Sequence, residues 1–128
     1  MRGPAELYAL LDLLQIQYEY IEHPPVPTVE EAMKYWSGID SGHCKNIFFR
    51  NHKGDRHYLV ILYYSSQLNI KDLEQKLRQG KLSFASDRRL MQYLGLTPGS
   101  VSPFGLINDH SRHVHLFIDK SLLSHERL

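Results

Sequence analysis

The sequence predicts an α/β protein of one domain, with a mixed central β-sheet flanked by helices. Segments with a helical spacing of apolar residues alternate with short β-branched and aromatic runs, which favours strands covered by helices. Two of these runs are separated by a short turn, a pattern typical of a hairpin. The length of 128 residues suits one domain, and 42% hydrophobic with 23% charged residues is typical of a globular protein with a core.

Charge and cysteine content narrow the classes of function. Fifteen basic and fourteen acidic residues give a formal net charge of +1, which excludes a strongly basic nucleic-acid coat but leaves room for a local basic patch. Cys44 is the only cysteine, so no intramolecular disulfide can form. No apolar run approaches the length of a membrane span, and no secretory leader is visible. We therefore expect a cytoplasmic protein without membrane attachment.

The N-terminal part is expected to form two helices joined by a rigid loop. Ala5–Leu14 carries leucines at positions 7, 10, 11 and 14, a spacing that predicts one buried helical face. Residues 23–27 include three prolines and break regular structure. Thr28 and Glu31 form a capping box for a helix through Met33. The loop and capped helix either hold one wall of a site or simply begin a stable helix, and both interpretations stay open.

The next segment is predicted to be a central hairpin. His43–Arg50 reads as a strand in which Lys45 and Asn46 point to opposite faces, because side chains alternate along a strand. Apolar residues on both faces indicate that this strand lies inside the protein. Residues 51–55 form a turn cluster, and Tyr58–Tyr63 is the second strand. The two strands are therefore the predicted centre of the sheet.

Helix and strand signals continue through the second half. Leu68–Leu77 is predicted to be a helix and Leu82–Ala85 a short extended segment. Ser86 or Asp87 caps a further helix that ends at Gly95.

A shaped loop and two more strands are expected after that helix. Leu96–Gly105 contains two prolines and two glycines, which predicts a loop with backbone groups outside any strand pairing. Phe104–Ile107 is predicted to be a strand, and Val114–Ile118 the strand that returns after a turn at Asn108 and Asp109.

Several short motifs occur in a characteristic order. They are Lys-Asn-Ile-Phe-Phe at residues 45–49, Leu-Gly-Leu at 94–96 and Gly-Ser-Val-Ser-Pro-Phe-Gly-Leu at 99–106. Together they resemble the YbaK/prolyl-tRNA-synthetase-associated editing domain family. The proline loop, followed by residues 28–32, looks most like its free-standing branch that deacylates alanyl-tRNA(Pro). The resemblance covers about residues 7–119. Relatives continue past the strand that matches Val114–Ile118, so we expect either a trimmed domain or a missing wall of the site.

The resemblance implies a specific reaction and a set of site residues. The family hydrolyses the ester that joins a wrong amino acid to the 3′ end of tRNA(Pro). A lysine matching Lys45 is its catalytic residue, and Asn46 matches a polar substrate-binding position. The matching loop lines the site, which makes its residues substrate-binding candidates: Gly99, Ser100, Val101, Ser102 and Pro103. No metal, cofactor or covalent intermediate is implied. The implied partners are mischarged tRNA(Pro) and prolyl-tRNA synthetase.

The residue types suit this chemistry. An activated ester needs a positioned water and donors for its carbonyl oxygen rather than a strong nucleophile. The hypothesis is that Lys45 anchors a phosphate of the terminal adenosine or a polar atom near the ester. Free backbone N–H groups in the Gly99–Pro103 loop would meet the carbonyl or the ribose, and a ribose hydroxyl would orient the water. We therefore expect Lys45 and this loop to converge on one small cavity.

Selectivity is expected to come from the volume of that cavity. A synthetase pocket for proline cannot strongly exclude the smaller alanine, so a second site admits only what fits. Met33, Phe48, Val101 and Ser102 are candidates to set the size of this site, and Thr28 is a further substrate-binding candidate. Phe48 and Met33 could equally be ordinary core residues.

Metal binding and nucleophilic catalysis are less well supported. His43, Cys44 and the histidines at positions 113 and 115 could be metal ligands, but no Cys-x-x-Cys or His-Glu-x-x-His motif is present. Cys44 lacks a convincing base, because its neighbour His43 faces the opposite side of a strand.

Binding without catalysis is the alternative of a different class. Arg50, Lys53 and Arg56 cluster around the predicted hairpin. Such a group could hold the acceptor stem of a tRNA, although scattered surface charge is also common. A catalytically inactive module that binds tRNA or a synthetase would have the same fold.

Overall fold

The structure, a computed structural model, describes residues 4–17 and 43–124. The helices are α1 (Pro4–Leu13), α2 (Ile70–Leu77) and α3 (Asp87–Leu94), and the strands are β1 (Cys44–Arg50), β2 (His57–Tyr63), β3 (Ser83–Phe84) and β4 (Val114–Ile118). Two 3-10 helices span Pro103–Asn108 and Lys120–Ser124. The expected proline loop and its capped helix, with Thr28 and Met33, lie outside the described residues.

The four described strands form one mixed sheet in the order β3-β1-β2-β4. β1 pairs antiparallel with β2 and with β3, whereas β2 pairs parallel with β4. The central hairpin and the mixed sheet are therefore confirmed. Its turn is held by Asn51, whose Oδ1 accepts hydrogen bonds from the backbone N–H groups of Asp55 and Arg56 at 3.0 and 3.1 Å.

Each face of the hairpin carries its own hydrophobic cluster. On one face, Phe48, Leu59 and Ile61 pack with side chains of α3, β4 and the second 3-10 helix. On the other face, Phe49, Tyr58 and Val60 pack with Leu82 and with partly buried side chains of α2. β2 is consequently buried from its first residue to its sixth, as a strand covered on both sides should be.

The helix boundaries follow from their caps. Asn69 Oδ1 accepts the N–H of Asp72 at the start of α2, and Ser86 Oγ accepts the N–H of Arg89 at the start of α3. Gly95 ends α3 with a φ of +66°, a conformation that glycine adopts without steric strain. Ser86, rather than Asp87, is thus the N-cap.

The predicted strand at Phe104–Ile107 is wrong, because these residues lie in a 3-10 helix. Pro103 occupies its first turn, and Ser102 Oγ accepts the N–H of Phe104 at 3.1 Å, which together favour a helical start. Val114–Ile118 is a strand as expected, but it pairs with β2. Proline and the serine cap therefore outweighed the strand signal of the aromatic and β-branched side chains.

The N-terminal helix begins and ends one residue earlier than expected. Leu11 is buried, whereas Leu14 lies beyond the last helical residue and is 57% exposed. Gln15 follows with a φ of +58°, which turns the chain out of the helical conformation. None of the helices in the described part of the chain has the length and apolar character needed to span a bilayer.

Candidate functional site

Asn46 joins the central hairpin to the loop that precedes the first 3-10 helix. Its Nδ2 donates a hydrogen bond of 3.0 Å to the carbonyl oxygen of Val101. Asn46 is the third residue of β1 and lies on the same face as Phe48, so the strand aims it at the loop. The Asn46 side chain and the Val101 backbone, 55 residues apart in sequence, are thereby brought together.

The second polar atom of the Asn46 side chain is unpaired within residues 4–17 and 43–124. Its Oδ1 is buried and accepts no hydrogen bond from any of these residues. The orientation of the amide is fixed, because only the NH₂ group can donate to a carbonyl oxygen. Leaving such an acceptor buried and unsatisfied costs about 1–3 kcal/mol. Because leaving this acceptor unpaired is costly, its position beside the Gly99–Pro103 loop indicates a place where a ligand donor or a bound water fits.

The loop itself turns sharply just before it meets Asn46. The N–H of Ser100 donates to the Thr97 carbonyl at 3.0 Å, and Pro98 and Gly99 occupy the two central turn positions. Gly99 has a φ of +82°, which is the type II geometry that requires glycine at this position. The N–H groups of Val101 and Ser102 donate to no protein atom in the parts of the chain that the structure describes. Both are therefore available to an acceptor.

Phe48 and Val101 lie behind this contact. Phe48 is 5% exposed and belongs to the hydrophobic cluster beneath α3, where its ring stacks on His57 with a centroid separation of 5.5 Å. Val101 is partly buried and packs against the same cluster. Ser102 and Pro103 are partly buried and begin the 3-10 helix, whereas Gly99 and Ser100 are exposed.

Lys45 has a different orientation from Asn46. It is partly exposed and pairs with Leu62 in the sheet. Strand alternation places it with Ile47 and Phe49, on the face that packs against α2. Asn46, rather than Lys45, is thus the side chain that makes the hydrogen bond to the Gly99–Pro103 loop. Lys45 lies next to it at the beginning of the same strand.

Cys44 is not prepared for nucleophilic attack. Burial raises the pKa of its thiol, which disfavours the reactive thiolate. Among the described residues, no group of three or more histidine, cysteine or acidic side chains is placed to hold a metal ion.

A buried histidine network supports the same face of the sheet, and no local sequence pattern predicts it. His57 is fully buried, with its Nδ1 2.8 Å from His113 Nε2 and its Nε2 3.0 Å from Arg89 Nη1. Arg89 Nη1 also donates to the Gly54 carbonyl at 2.8 Å. Burial, followed by the nearby His113, Arg89 and Arg50, lowers the pKa of His57 to about 4. These residues come from three parts of the sequence, and only their proximity in the folded chain reveals the network.

Comparison with known proteins identifies the family. The sequence model of the aminoacyl-tRNA editing domain matches residues 23–128. The chain is 45% identical over 123 residues to the prolyl-tRNA editing protein ProX of Acetoanaerobium sticklandii, covering 96% of this chain and 75% of that protein. It is 32% identical to the mouse prolyl-tRNA synthetase associated domain-containing protein 1, with 97% and 75% covered.

The fold is found in solved structures as well. The crystal structure of hypothetical protein APE2540 superposes with a TM-score of 0.72 at 22% identity, covering 93% of this chain and 76% of that one. The family match extends over most of the sequence and includes Asn46 and the Gly99–Pro103 loop. The chain therefore belongs to the aminoacyl-tRNA editing domain family, whose members are aminoacyl-tRNA deacylases.

Proposed function

We propose that this protein is a trans-editing deacylase that hydrolyses mischarged tRNA(Pro), with alanyl-tRNA(Pro) as its main substrate. The observation that carries the proposal is the buried Asn46 Oδ1, which accepts no hydrogen bond from the described residues and lies beside a loop with two N–H groups that donate to none of them. The aminoacylated end of a tRNA has both complementary groups, since its ammonium and ribose hydroxyl donate and its ester carbonyl accepts. The names of similar proteins refer to prolyl-tRNA editing and prolyl-tRNA synthetase, which supports tRNA(Pro) as the substrate.

The proposed reaction uses position rather than a protein nucleophile. Asn46 Oδ1 holds the ammonium or the ribose 2′-hydroxyl, and the N–H groups of Val101 and Ser102 face the carbonyl oxygen as its negative charge develops. A water adds to the carbonyl carbon, and the bond from that carbon to the ribose 3′ oxygen breaks. The proton lost by the water passes to the 3′ oxygen. The products are the free amino acid and uncharged tRNA.

Lys45 has a binding role in this proposal. Its ammonium supplies positive charge at the beginning of β1, where it anchors the phosphate of the terminal adenosine. Partial exposure and its position beside Asn46 support that role. Since its side chain leaves the strand on the face opposite Asn46, we do not place it against the reacting carbonyl. Lys45→Ala should consequently raise KM more than it lowers kcat.

A deacylation assay tests the proposal directly. Purified protein is mixed with alanyl-tRNA(Pro), and the remaining ester is measured over time for the wild type and for Asn46→Ala. We expect Asn46→Ala to lower kcat about 100-fold, because a donor or acceptor aimed at the reacting groups is lost. Asn69→Ala is the matched control, since it also removes an asparagine that bonds to the backbone, but at the N-cap of α2.

The alternative outcomes are distinct. Ester loss that is equally fast with Asn46→Ala and the wild type would contradict the proposed site. Binding of tRNA(Pro) without any ester loss from the wild type would instead support a non-catalytic binding module. A panel of tRNA(Pro) charged with alanine, cysteine or serine then shows which aminoacyl group is preferred.

A further inference from the structure

Two arginines converge at the turn of the central hairpin. A Cβ atom placed on Gly54 would lie 2.9 Å from Arg89 Nη2 and 3.3 Å from Arg50 Nη1. Because both nitrogens lie this close to the same point, their separation cannot exceed the sum of the two distances. Lys53 and Arg56 flank the same turn and are exposed. We call these four residues, Arg50, Lys53, Arg56 and Arg89, the hairpin basic patch.

The charge of the hairpin basic patch is poorly neutralised. Its one acidic neighbour on the turn, Asp55, bonds to Asn51 Nδ2 at 2.6 Å and interacts electrostatically with Lys53 and Arg56. Within residues 4–17 and 43–124, no carboxylate forms an ion pair with Arg50 or Arg89. Like charges held this close repel each other, and an anion between them removes the repulsion.

The patch also concentrates the positive charge of the whole chain. It holds four of the fifteen basic residues, whereas its turn includes one of the fourteen acidic residues. The rest of the chain then has eleven basic and thirteen acidic residues, a small negative balance. The turn and Arg89 therefore contribute more positive than negative charge, which favours contact with a polyanion.

The hydrogen-bonding groups of the patch suit a phosphate. Arg89 Nη1 donates hydrogen bonds to the Gly54 carbonyl and to His57 Nε2, and these bonds fix the guanidinium in place. Its Nη2 and the guanidinium of Arg50 have no protein acceptor in the described part of the chain. Guanidinium donors in a fixed plane match the geometry of phosphate oxygens.

The position of the patch relates it to the proposed site. Arg50 and Asn46 are four residues apart on β1 and share a face, since side chains alternate with a period of two. At a rise of about 3.3 Å per residue, their Cα atoms lie about 13 Å apart. That distance corresponds to about four nucleotides of a stacked strand.

We propose that the hairpin basic patch binds backbone phosphates of the nucleic acid about four nucleotides upstream of the aminoacylated 3′ end. The inference rests on the proposed function, because it assumes that the 3′ end lies at Asn46. Contacts of this kind position the strand and do not read its sequence. The patch accordingly contributes affinity for tRNA in general, while the site at Asn46 acts on the ester.

The test compares two substrates that differ in those phosphates. One is full-length alanyl-tRNA(Pro), and the other is the alanylated trinucleotide CCA, which is too short to reach the patch. The patch variant is Arg50→Gln with Lys53→Gln and Arg56→Gln. Arg89 is retained because it holds Gly54 and His57. The matched control is Lys71→Gln with Lys76→Gln and Lys120→Gln, which removes the same charge from exposed positions elsewhere.

We expect the patch variant to raise KM for full-length tRNA about tenfold or more and to leave KM for the trinucleotide unchanged. The slope of log Kd for uncharged tRNA(Pro) against log salt concentration should fall by about 2 to 3, since up to three phosphate contacts are lost. The control variant should match the wild type in both measurements. Circular dichroism and urea unfolding of each variant confirm that the fold is retained.

Two results would overturn the inference. One is an equal rise of KM for tRNA and trinucleotide, and the other is an unchanged salt slope in the patch variant. Failure of the proposed function looks different, because the wild type would then hydrolyse neither substrate. Even in that case, the salt slope for uncharged tRNA decides whether the hairpin basic patch binds nucleic acid.

Discussion

His57 shows how one side chain can depend on groups that are distant in sequence. Arginine only donates, so His57 Nε2 must accept from Arg89 and carry no proton. Its Nδ1–H then donates to His113 Nε2, which fixes both rings as one tautomer pair. Tyr93 packs against both rings, with centroid separations of 4.2 and 4.6 Å. The network therefore requires His57 to be neutral.

Folding stability should consequently fall as the pH is lowered. The folded pKa of His57 is about 4 and its ordinary value is 6.5, so the unfolded chain binds the proton first. The contribution of His57 to the free energy of unfolding has its full value above pH 6.5. It decreases toward pH 4, by as much as about 1.4 kcal/mol per pH unit. Besides His113, the charged groups that act on it are Arg89, Arg50 and Asp55. Urea unfolding between pH 7.5 and pH 5 measures the decrease.

Two histidine variants separate this effect from general acid sensitivity. His57→Gln should be less stable at pH 7.5 but should lose most of the decrease between pH 6.5 and pH 5. His52→Gln changes an exposed side chain and should retain the decrease. An identical pH dependence in His57→Gln and the wild type would show that another group is responsible.

Val101 should set the size limit of the proposed site. Its carbonyl is held by Asn46 and its side chain packs against the core cluster, so truncation enlarges the space beside Asn46. Val101→Ala should raise kcat/KM for prolyl-tRNA(Pro) relative to alanyl-tRNA(Pro) about tenfold, the discrimination typical of one methylene. Competition between the two charged tRNAs measures the ratio.

Val60→Ala provides the control for Val101→Ala. It makes the same truncation in the cluster on the other face of the sheet, where Val60 is 4% exposed. A similar change of preference in both variants would mean that loosened packing, and not cavity volume beside Asn46, alters the selectivity.

The sequence predicts candidate site residues but not how they contact each other. Motif resemblance proposes Asn46 and the Gly99–Pro103 loop as site residues, and strand alternation predicts that Lys45 and Asn46 lie on opposite faces. The same alternation of side chains is at odds with the expectation that Lys45 contacts the Gly99–Pro103 loop, because Asn46 points to that loop. The hydrogen bond to the Val101 carbonyl could not be predicted, because it depends on how a coil packs across a sheet rather than on any local pattern.

At the scale of elements, local chemistry determined most boundaries. The hairpin turn, the caps of α2 and α3 and the glycine after α3 all carry side chains whose preferences agree with the fold. The segment from Pro103 to Asn108 is different, because its strand-forming side chains conflict with a proline and a serine cap. The proline and the serine cap determine the outcome, whereas a prediction from the aromatic and β-branched side chains alone gives a strand.

Gly105 is where this 3-10 helix meets α3. A Cβ atom there would lie 2.9 Å from the Leu94 carbonyl oxygen and 2.7 Å from Leu96 Cδ1, so the close approach is to the protein's own chain. Gly105→Ala should lower the free energy of unfolding by about 1–3 kcal/mol, because the backbone of Leu94 must shift. Urea denaturation measures the change.

Ser100→Ala is the companion variant in the same loop. Ser100 is exposed and its side chain forms no hydrogen bond in the described structure, so stability should stay within about 0.5 kcal/mol of the wild type. Equal stability of Gly105→Ala and the wild type would mean that the 3-10 helix can move away from α3 without loss.

At the scale of the whole molecule, the sheet ends in an apolar strand. Leu116, Phe117 and Ile118 of β4 are 41%, 38% and 51% exposed, and β4 contains no lysine, arginine or acidic residue. Natural edge strands are usually protected from pairing with other chains by charge, proline or a cover. β4 lies at the end of the described sheet, beside β2, whose first six residues are buried.

Charge placed on β4 should reduce self-association. Ile118→Lys is expected to lower concentration-dependent light scattering, because a lysine on an edge strand opposes strand-to-strand pairing. Met91→Lys adds the same charge at a position that is 46% exposed on α3. An equal effect of both substitutions would attribute the improvement to net charge and not to the strand.

The parallel pairing of β2 with β4 also sets an order of assembly during synthesis. β1 and β2 are sequence neighbours, so their hairpin can close as soon as both have left the ribosome. His57 and His113 are 56 residues apart, and the buried strand that begins at His57 can pair with β4 only after β4 has emerged. Closing so long a segment slows folding. Until β4 emerges, the nascent chain has β1 paired with β2 while the other edge of β2 is apolar and unpaired. Chaperones recognise exposed apolar edges of this kind.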